Sequence, residues 1–202
     1  IVPGNVAARS VKWLSKIVIS DEESQTQWQR RDYRNFGPNI IHPNWPLGTS
    51  IQEMPITSAI TGIHPADNST NSTSSKAPLT IEGYAYSGGG RRIIRVDISQ
   101  DEGKTWDQAE LINDEYQGSK AWCWKRWRYT GVVNPSNNTA TSLDKAESSK
   151  PHKASLIVKA TDETYNTQPQ SYTSIFNPRG NLATAWHRVE LKGENGDGIE
   201  RG

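Results

Sequence analysis

At 202 residues, with 33% hydrophobic residues and a mean hydropathy of −0.77, the chain fits one ordinary domain with its own core and room for a piece of another. Its 23 basic and 22 acidic residues leave a net charge of +1, so no field favours non-specific binding to nucleic acid or a membrane surface. The apolar runs fall far short of the roughly 20 residues that cross a bilayer, and a single cysteine, Cys123, excludes an internal disulfide framework.

The chain opens on Ile1-Val2-Pro3-Gly4, with no initiator Met and no targeting segment, as a stretch cut from a longer protein would. Residues 1–48 are expected to be a small irregular flanking piece. It holds a short apolar strand at Lys16-Ile17-Val18-Ile19-Ser20, a cationic cluster QRRDYRNF at 29–36, and then Pro38, Pro43 and Pro46, which break any continuation. Within the cluster Arg30, Arg31 and Arg34 read as salt-bridge partners, with Asp32 among them.

From Ile51 to Leu191 the apolar residues fall into short runs of period two separated by turn residues, the pattern of antiparallel strands. Leu79, Ile81, Gly83 and Ala85 share one face; Ile94, Val96 and Ile98 share another, opposite Arg95, Asp97 and Ser99; Leu156, Val158 and Ala160 share a third. Gly88-Gly89-Gly90 and Asp101-Glu102-Gly103 read as hairpin loops, because glycine accepts the positive φ such turns need. About seven strands in roughly 140 residues is the count of a β-sandwich. The Ser/Thr/Asn-rich stretches at 68–75 and 134–150 read as surface loops, and Gly-Glu-Asn-Gly-Asp-Gly near the end as a tail covering 193–202. No helix of convincing length and no internal repeat is expected.

Trp106, Trp122, Trp124 and Trp127 could form a sugar-stacking platform, but tryptophans so placed more often fill a sandwich core or a subunit interface. Cys123, inside AWCWKRW, has no second ligand at metal spacing and reads as a small buried side chain. His42, His64 and His152 read as surface or loop residues and His187 as a strand residue, none at metal-ligand spacing. Arg91-Arg92 after the triple glycine lack the helix start that makes a phosphate cradle effective. Asn68, Asn71 and Asn137 each head an Asn-x-Ser/Thr triplet, a pattern that also arises by chance in such loops.

Five blocks carry a resemblance. VPGNVAARSVKWL at 2–14, EESQTQWQRRDYRNF at 22–36, IQEMPITSAIT at 51–61, GYAYSGGGRRIIRVDISQDEGKTW at 83–106 and NPRGNLATAWHRV at 177–189 closely resemble the C-terminal half of the sulfite oxidase family, in its order and spacing. The resemblance implies an all-β, immunoglobulin-like dimerisation sandwich at 49–192. Residues 1–48 would be the last stretch of a preceding molybdenum-cofactor domain.

That family oxidises sulfite to sulfate at a molybdenum–molybdopterin centre and works as a homodimer. By resemblance, Tyr33 matches its substrate-pocket tyrosine, whose phenol can donate a hydrogen bond to an oxyanion. Arg179 matches an arginine that the dimerisation domain lends to the same pocket, where a guanidinium suits an oxyanion better than an ammonium does. Ser10 and Lys12 match residues that hold the pterin and its phosphate, and a short strand would set both on one face. The family's metal-ligating cysteine belongs to the upstream domain, so no metal ligand is expected here and the 202 residues alone are expected to be inactive. A b-type haem domain upstream, cytochrome c or oxygen as acceptor, and a mitochondrial intermembrane or peroxisomal location all follow from the same resemblance. The sister family of assimilatory nitrate reductases shares the architecture but typically has asparagine and methionine where Tyr33 and Arg179 stand. A third reading is a non-catalytic sandwich that only dimerises.

Overall fold

Two antiparallel sheets grow from the period-two runs, packed face to face over one core. The computed structural model describes residues 1–66, 78–112, 118–133, 153–193 and 199–201. The stretches 68–75 and 134–150, the three Asn-x-Ser/Thr triplets and His152 lie outside the described residues. One sheet runs β3 (Thr57–Pro65), β4 (Pro78–Tyr86), β8 (Lys125–Val132), β7 (Glu110–Leu111), in that spatial order. The other runs β11 (Ile199–Arg201), β10 (His187–Gly193), β9 (Lys153–Asp162), β5 (Ile93–Ser99), β6 (Asp107–Gln108). A small ribbon, β1 (Arg34–Asn35) against β2 (Thr49–Ser50), lies outside the sandwich. Every pairing is antiparallel.

The core is the set the alternation selects. Ile81, Val96, Ile98, Leu156, Val158, Ala160 and Trp127 are fully enclosed, each large aliphatic member contributing about 1.5–3 kcal/mol by leaving water. Trp127 lies across Gly83, where a Cβ would stand only 2.3 Å from the indole and 2.0 Å from the Ala59 carbonyl. Glycine is therefore required on β4 at that point. Ala109 sits between β6 and β7, its N–H bonded to Val96 O at 2.9 Å, and there the chain passes from one sheet to the other.

Several expectations are corrected. A bulge between Ile93 and Arg95 shifts the alternation, so Ile93 faces the core and Ile94 faces solvent. Gly88-Gly89-Gly90 is not a hairpin: β4 already has β3 and β8 as neighbours and β5 has β9 and β6, so the turn carries the chain between sheets. Its positive φ at Gly89 and Gly90 is as expected, and Asp101-Glu102-Gly103 does close the β5–β6 hairpin. Lys16–Ser20 forms no strand among the described residues; Ile17, Val18 and Ile19 are exposed. Cys123 is exposed rather than buried, because β8 begins only at Lys125 and the preceding residues form a loop with Trp122 and Trp124 partly in solvent. Trp106 packs edge-on against Trp186 with the Lys159 ammonium 3.9 Å above its ring, so it offers no open stacking face. Ile199–Arg201, expected within the tail, adds an edge strand to β10.

The long connection from β9 to β10 is anchored by one buried side chain. The Gln168 carbonyl accepts from Ser58 Oγ at 2.5 Å and Ala160 N at 3.1 Å, while its amide donates to the carbonyls of Thr184 and Ala185. Both the oxygen and the nitrogen of its buried side-chain amide are thus paired, which fixes the root of the connection. Nearby, His187 Nδ1 accepts the Ile60 N–H at 3.2 Å, joining β10 to β3 across the sheets.

Burial lowers the His187 pKa below 6.5. The folded state then holds the proton less tightly than the unfolded chain, so this contribution is complete above 6.5 and is lost as pH falls through the lowered value. Denaturation midpoints should drop as pH falls below 6.5, and His187→Asn, which keeps an acceptor but no titration, should flatten that drop. A midpoint equally pH-dependent in both proteins would contradict this.

Candidate functional site

Residues 1–48 fold back on the start of the sandwich. Val6 N bonds Gln52 O and Met54 N bonds Gly4 O, both at 2.9 Å, so residues 4–6 run beside 52–54. Ala7–Arg9 then make one 3-10 turn, and Arg9 reaches inward: Nε donates to Ile51 O at 2.7 Å, one terminal nitrogen to Ser50 Oγ at 3.0 Å and the other to Gln29.

Trp28–Asp32 form a single π-helical turn, closed by Tyr33 N to Trp28 O at 3.0 Å. Such turns are uncommon and concentrate at functional sites. A polar web around the buried Gln29 and Arg34 holds this one. The Gln29 amide donates to Ser50 Oγ at 2.7 Å and to Glu23, and Glu23 also pairs with the buried Arg34, whose other terminal nitrogen donates to Gly48 O at 3.0 Å. The Arg34 contact, then Gln29, hold the Glu23 carboxyl below its ordinary pKa. Tyr33 follows directly, its carbonyl accepting from Ile51 N at 2.9 Å and its ring 5.8 Å from the Arg9 guanidinium.

The other wall arrives from the β9–β10 connection. Asn177, 3% exposed, donates from Nδ2 to Arg34 O at 3.2 Å and Asn35 Oδ1 at 3.0 Å, while its Oδ1 accepts Arg179 N at 2.9 Å. Gly180 N bonds Asn177 O at 2.8 Å with Gly180 at φ +70°, a left-handed conformation that favours glycine. Asn181 Nδ2 donates to Asp32 O at 2.9 Å, and the Arg179 guanidinium pairs with the Asp32 carboxylate. A turn of five residues is thus pinned onto the backbone of 32–35.

The result is a cleft of about 350 Å³ lined by Trp28, Asp32, Tyr33, Pro178, Arg179 and Asn181. Tyr33 and Arg179 are therefore brought together. Asp32 pairs with Arg179, and Arg34 with Glu23, rather than the cluster pairing within itself. Guanidinium has five N–H donors, so Arg179 retains donors for a ligand after meeting Asp32. Ser10 and Lys12 do not line this cleft, and the strand expected to align them is absent: Ser10 closes the 3-10 turn, its Oγ accepting Val2 N at 3.3 Å, and Lys12 is exposed. No group of three or more metal-ligating side chains occurs among the described residues.

The family described as the Mo-co oxidoreductase dimerisation domain matches residues 48–194. This chain belongs to that family. Mitochondrial sulfite oxidase of Mus musculus is 42% identical over 194 residues, covering 95% of this chain and 32% of that protein. The NADH nitrate reductase of Solanum lycopersicum is 33% identical over 204 residues, covering 95% of this chain and 20% of that protein. The chain thus spans about a third or less of these relatives. Among solved structures, sulfane dehydrogenase SoxCD from Paracoccus pantotrophus superposes with a TM-score of 0.66 at 24% identity, over all of this chain and 44% of that one, which supports the sandwich fold of the dimerisation-domain family.

The sequence reading missed Asn177, Asn181 and Asp32 as the groups that assemble the cleft. The Asn-Pro-Arg-Gly turn signal was visible, but its docking partner was not. Asn177→Ala should cost about 1–3 kcal/mol by stranding buried partners and should speed amide exchange at Arg179 and Gly180. Unchanged exchange there would show that the turn holds its place without Asn177.

Proposed function

We propose that the chain is the C-terminal part of a molybdenum-dependent sulfite oxidase. In this reading residues 1–48 complete the cofactor domain, 49–192 form the homodimerisation sandwich, and the Tyr33–Arg179 cleft is the part of the substrate pocket that this chain supplies. The observation that carries the reading is the convergence of a phenol and a guanidinium, from segments far apart in sequence, on one small cleft. Sulfite is a compact dianion, and charge-assisted hydrogen bonds from fixed donors are the strongest way to hold one. The higher identity to sulfite oxidase than to nitrate reductase supports the same substrate.

Oxidising sulfite to sulfate removes two electrons and adds one oxygen, chemistry that the molybdenum–pterin group supplies when bound. The described residues do not offer the metal a ligand set, and Cys123 lies on the sandwich loop before β8. In this reading the metal takes its ligands from the part of the parent enzyme that precedes residue 1. What this chain can lend the cofactor is peripheral: the Lys12 ammonium is exposed and the Ser10 hydroxyl is held by one N–H at 3.3 Å, both able to meet an anionic group. The electrons pass onward to cytochrome c through a b-type haem or directly to oxygen, and the relatives named as mitochondrial support a mitochondrial location.

In the full-length enzyme, Arg179→Met should remove a charge-assisted hydrogen bond worth about 1.5–3 kcal/mol and raise KM for sulfite roughly tenfold or more. Tyr33→Phe should depress kcat/KM while leaving the melting temperature nearly unchanged. Wild-type sulfite kinetics in both variants would remove the cleft from the substrate pocket. Separately, the chain should scatter light as a dimer of its 22.5 kDa mass, whereas a monomer at all concentrations would contradict the assigned role of the sandwich.

A further inference from the structure

The π-turn has a second side. Sharing no lining residue with the Tyr33 cleft, a second cleft of about 470 Å³ is walled by Gln25, Gln27, Arg30, Arg31, Trp45 and Pro46. Residues 28 and 32 of the turn face the first cleft and residues 30 and 31 the second.

Its electrostatics differ from everything around it. Arg34 is neutralised by Glu23 and Arg179 by Asp32. Arg30 meets only the neutral Gln25 amide oxygen, at 2.7 Å, and neither Arg30 nor Arg31 meets a carboxylate among the described residues. No acidic residue lines the cleft. Two adjacent guanidiniums left uncompensated repel one another, and an anion between them removes that cost while gaining charge-assisted, bidentate hydrogen bonds.

The cleft also offers a flat apolar wall. Phe36 packs edge-on against Trp45, ring centroids 5.3 Å apart at 88°, which fixes the indole beside the two arginines. The volume exceeds what a lone tetrahedral ion fills and falls within the ~300–1,000 Å³ typical of small-molecule sites. We propose that this cleft binds a phosphate or sulfate group carried on a flat ring, the oxyanion held by Arg30 and Arg31 and the ring lying against Trp45 and Pro46. This cleft shares no lining residue with the proposed sulfite pocket, although the Arg179 guanidinium lies 5.9 Å from the Trp45 ring between them.

Calorimetric titration of the chain with phenyl phosphate, inorganic phosphate and phenol tests it. Phenyl phosphate should bind at one site. Arg30→Gln and Arg31→Gln should each weaken it at least about fivefold, as loss of one charge-assisted bond requires, and Trp45→Leu should weaken phenyl phosphate more than inorganic phosphate. Tyr33→Phe should leave this binding unchanged, which separates the site from the sulfite pocket. Melting curves of each variant confirm that the fold is intact. Equal affinities for phenyl phosphate and inorganic phosphate would overturn the ring-bearing ligand, and phenol binding as well as its ester would overturn the anion site. No saturable binding, or binding lost in Tyr33→Phe alone, would overturn the proposal entirely.

Discussion

Asn177 occupies the position on which the candidate site depends. Its side chain is enclosed between two segments widely separated along the sequence, donating to the Arg34 carbonyl and the Asn35 side chain while accepting the Arg179 N–H. A primary amide suits that place because it carries donors and acceptors on one flat group. Through it, the tip of the β9–β10 connection is tied to the backbone next to Tyr33. The Arg179–Asp32 pair and the Asn181 bond to Asp32 O then set the direction of the turn. A half-exposed ion pair of this kind adds little stability by itself, so its contribution is orientation.

Rigidity has to exist on both sides for this clamp to matter. On the sandwich side it comes from Gln168, whose fully paired amide fixes the root of the connection. On the other side it comes from Arg9, Gln29, Glu23, Arg34 and Ser50, a web that anchors the π-turn presenting Tyr33 through its buried Gln29. One strain remains in it: the buried Nε of Arg34 has no acceptor. The two ends are linked a second time where Arg91 bridges Glu53 and the enclosed Asp162, at 3.1 and 3.3 Å. A cleft built this way is preorganised, because Asn177, Asp32 and the Gln29–Arg34 web hold its walls in place before any ligand arrives.

Alternation made the sandwich legible. Leu156, Val158 and Ala160, or Ile81 and Ala85, could face one way only, and the structure buries them. The bulge at Ile93 was not legible, because one extra residue leaves no mark in hydrophobicity, and the triple glycine signalled a turn without saying which sheets it joins. Lys16–Ser20 shows the opposite error: a strand-like pattern needs a partner edge, and none lies among the described residues. Tyr33 and Arg179 were legible only through family resemblance, since nothing local relates residue 33 to residue 179. Ser10 and Lys12 came from the same resemblance, but the strand expected to align them is a 3-10 turn and a bend.

One spatial arrangement underlies the proposed pocket: the clamp makes Tyr33 and Arg179 two walls of a single cleft. A crystal structure of the full-length enzyme with selenate, a heavier analogue of sulfate, tests it most directly through the anomalous signal of selenium. The expected result is a peak within hydrogen-bond reach of both the Tyr33 hydroxyl and the Arg179 guanidinium, with Asp32 still paired to Arg179. Selenate bound elsewhere while this cleft stays empty, or Tyr33 and Arg179 found on separate surfaces, would contradict it.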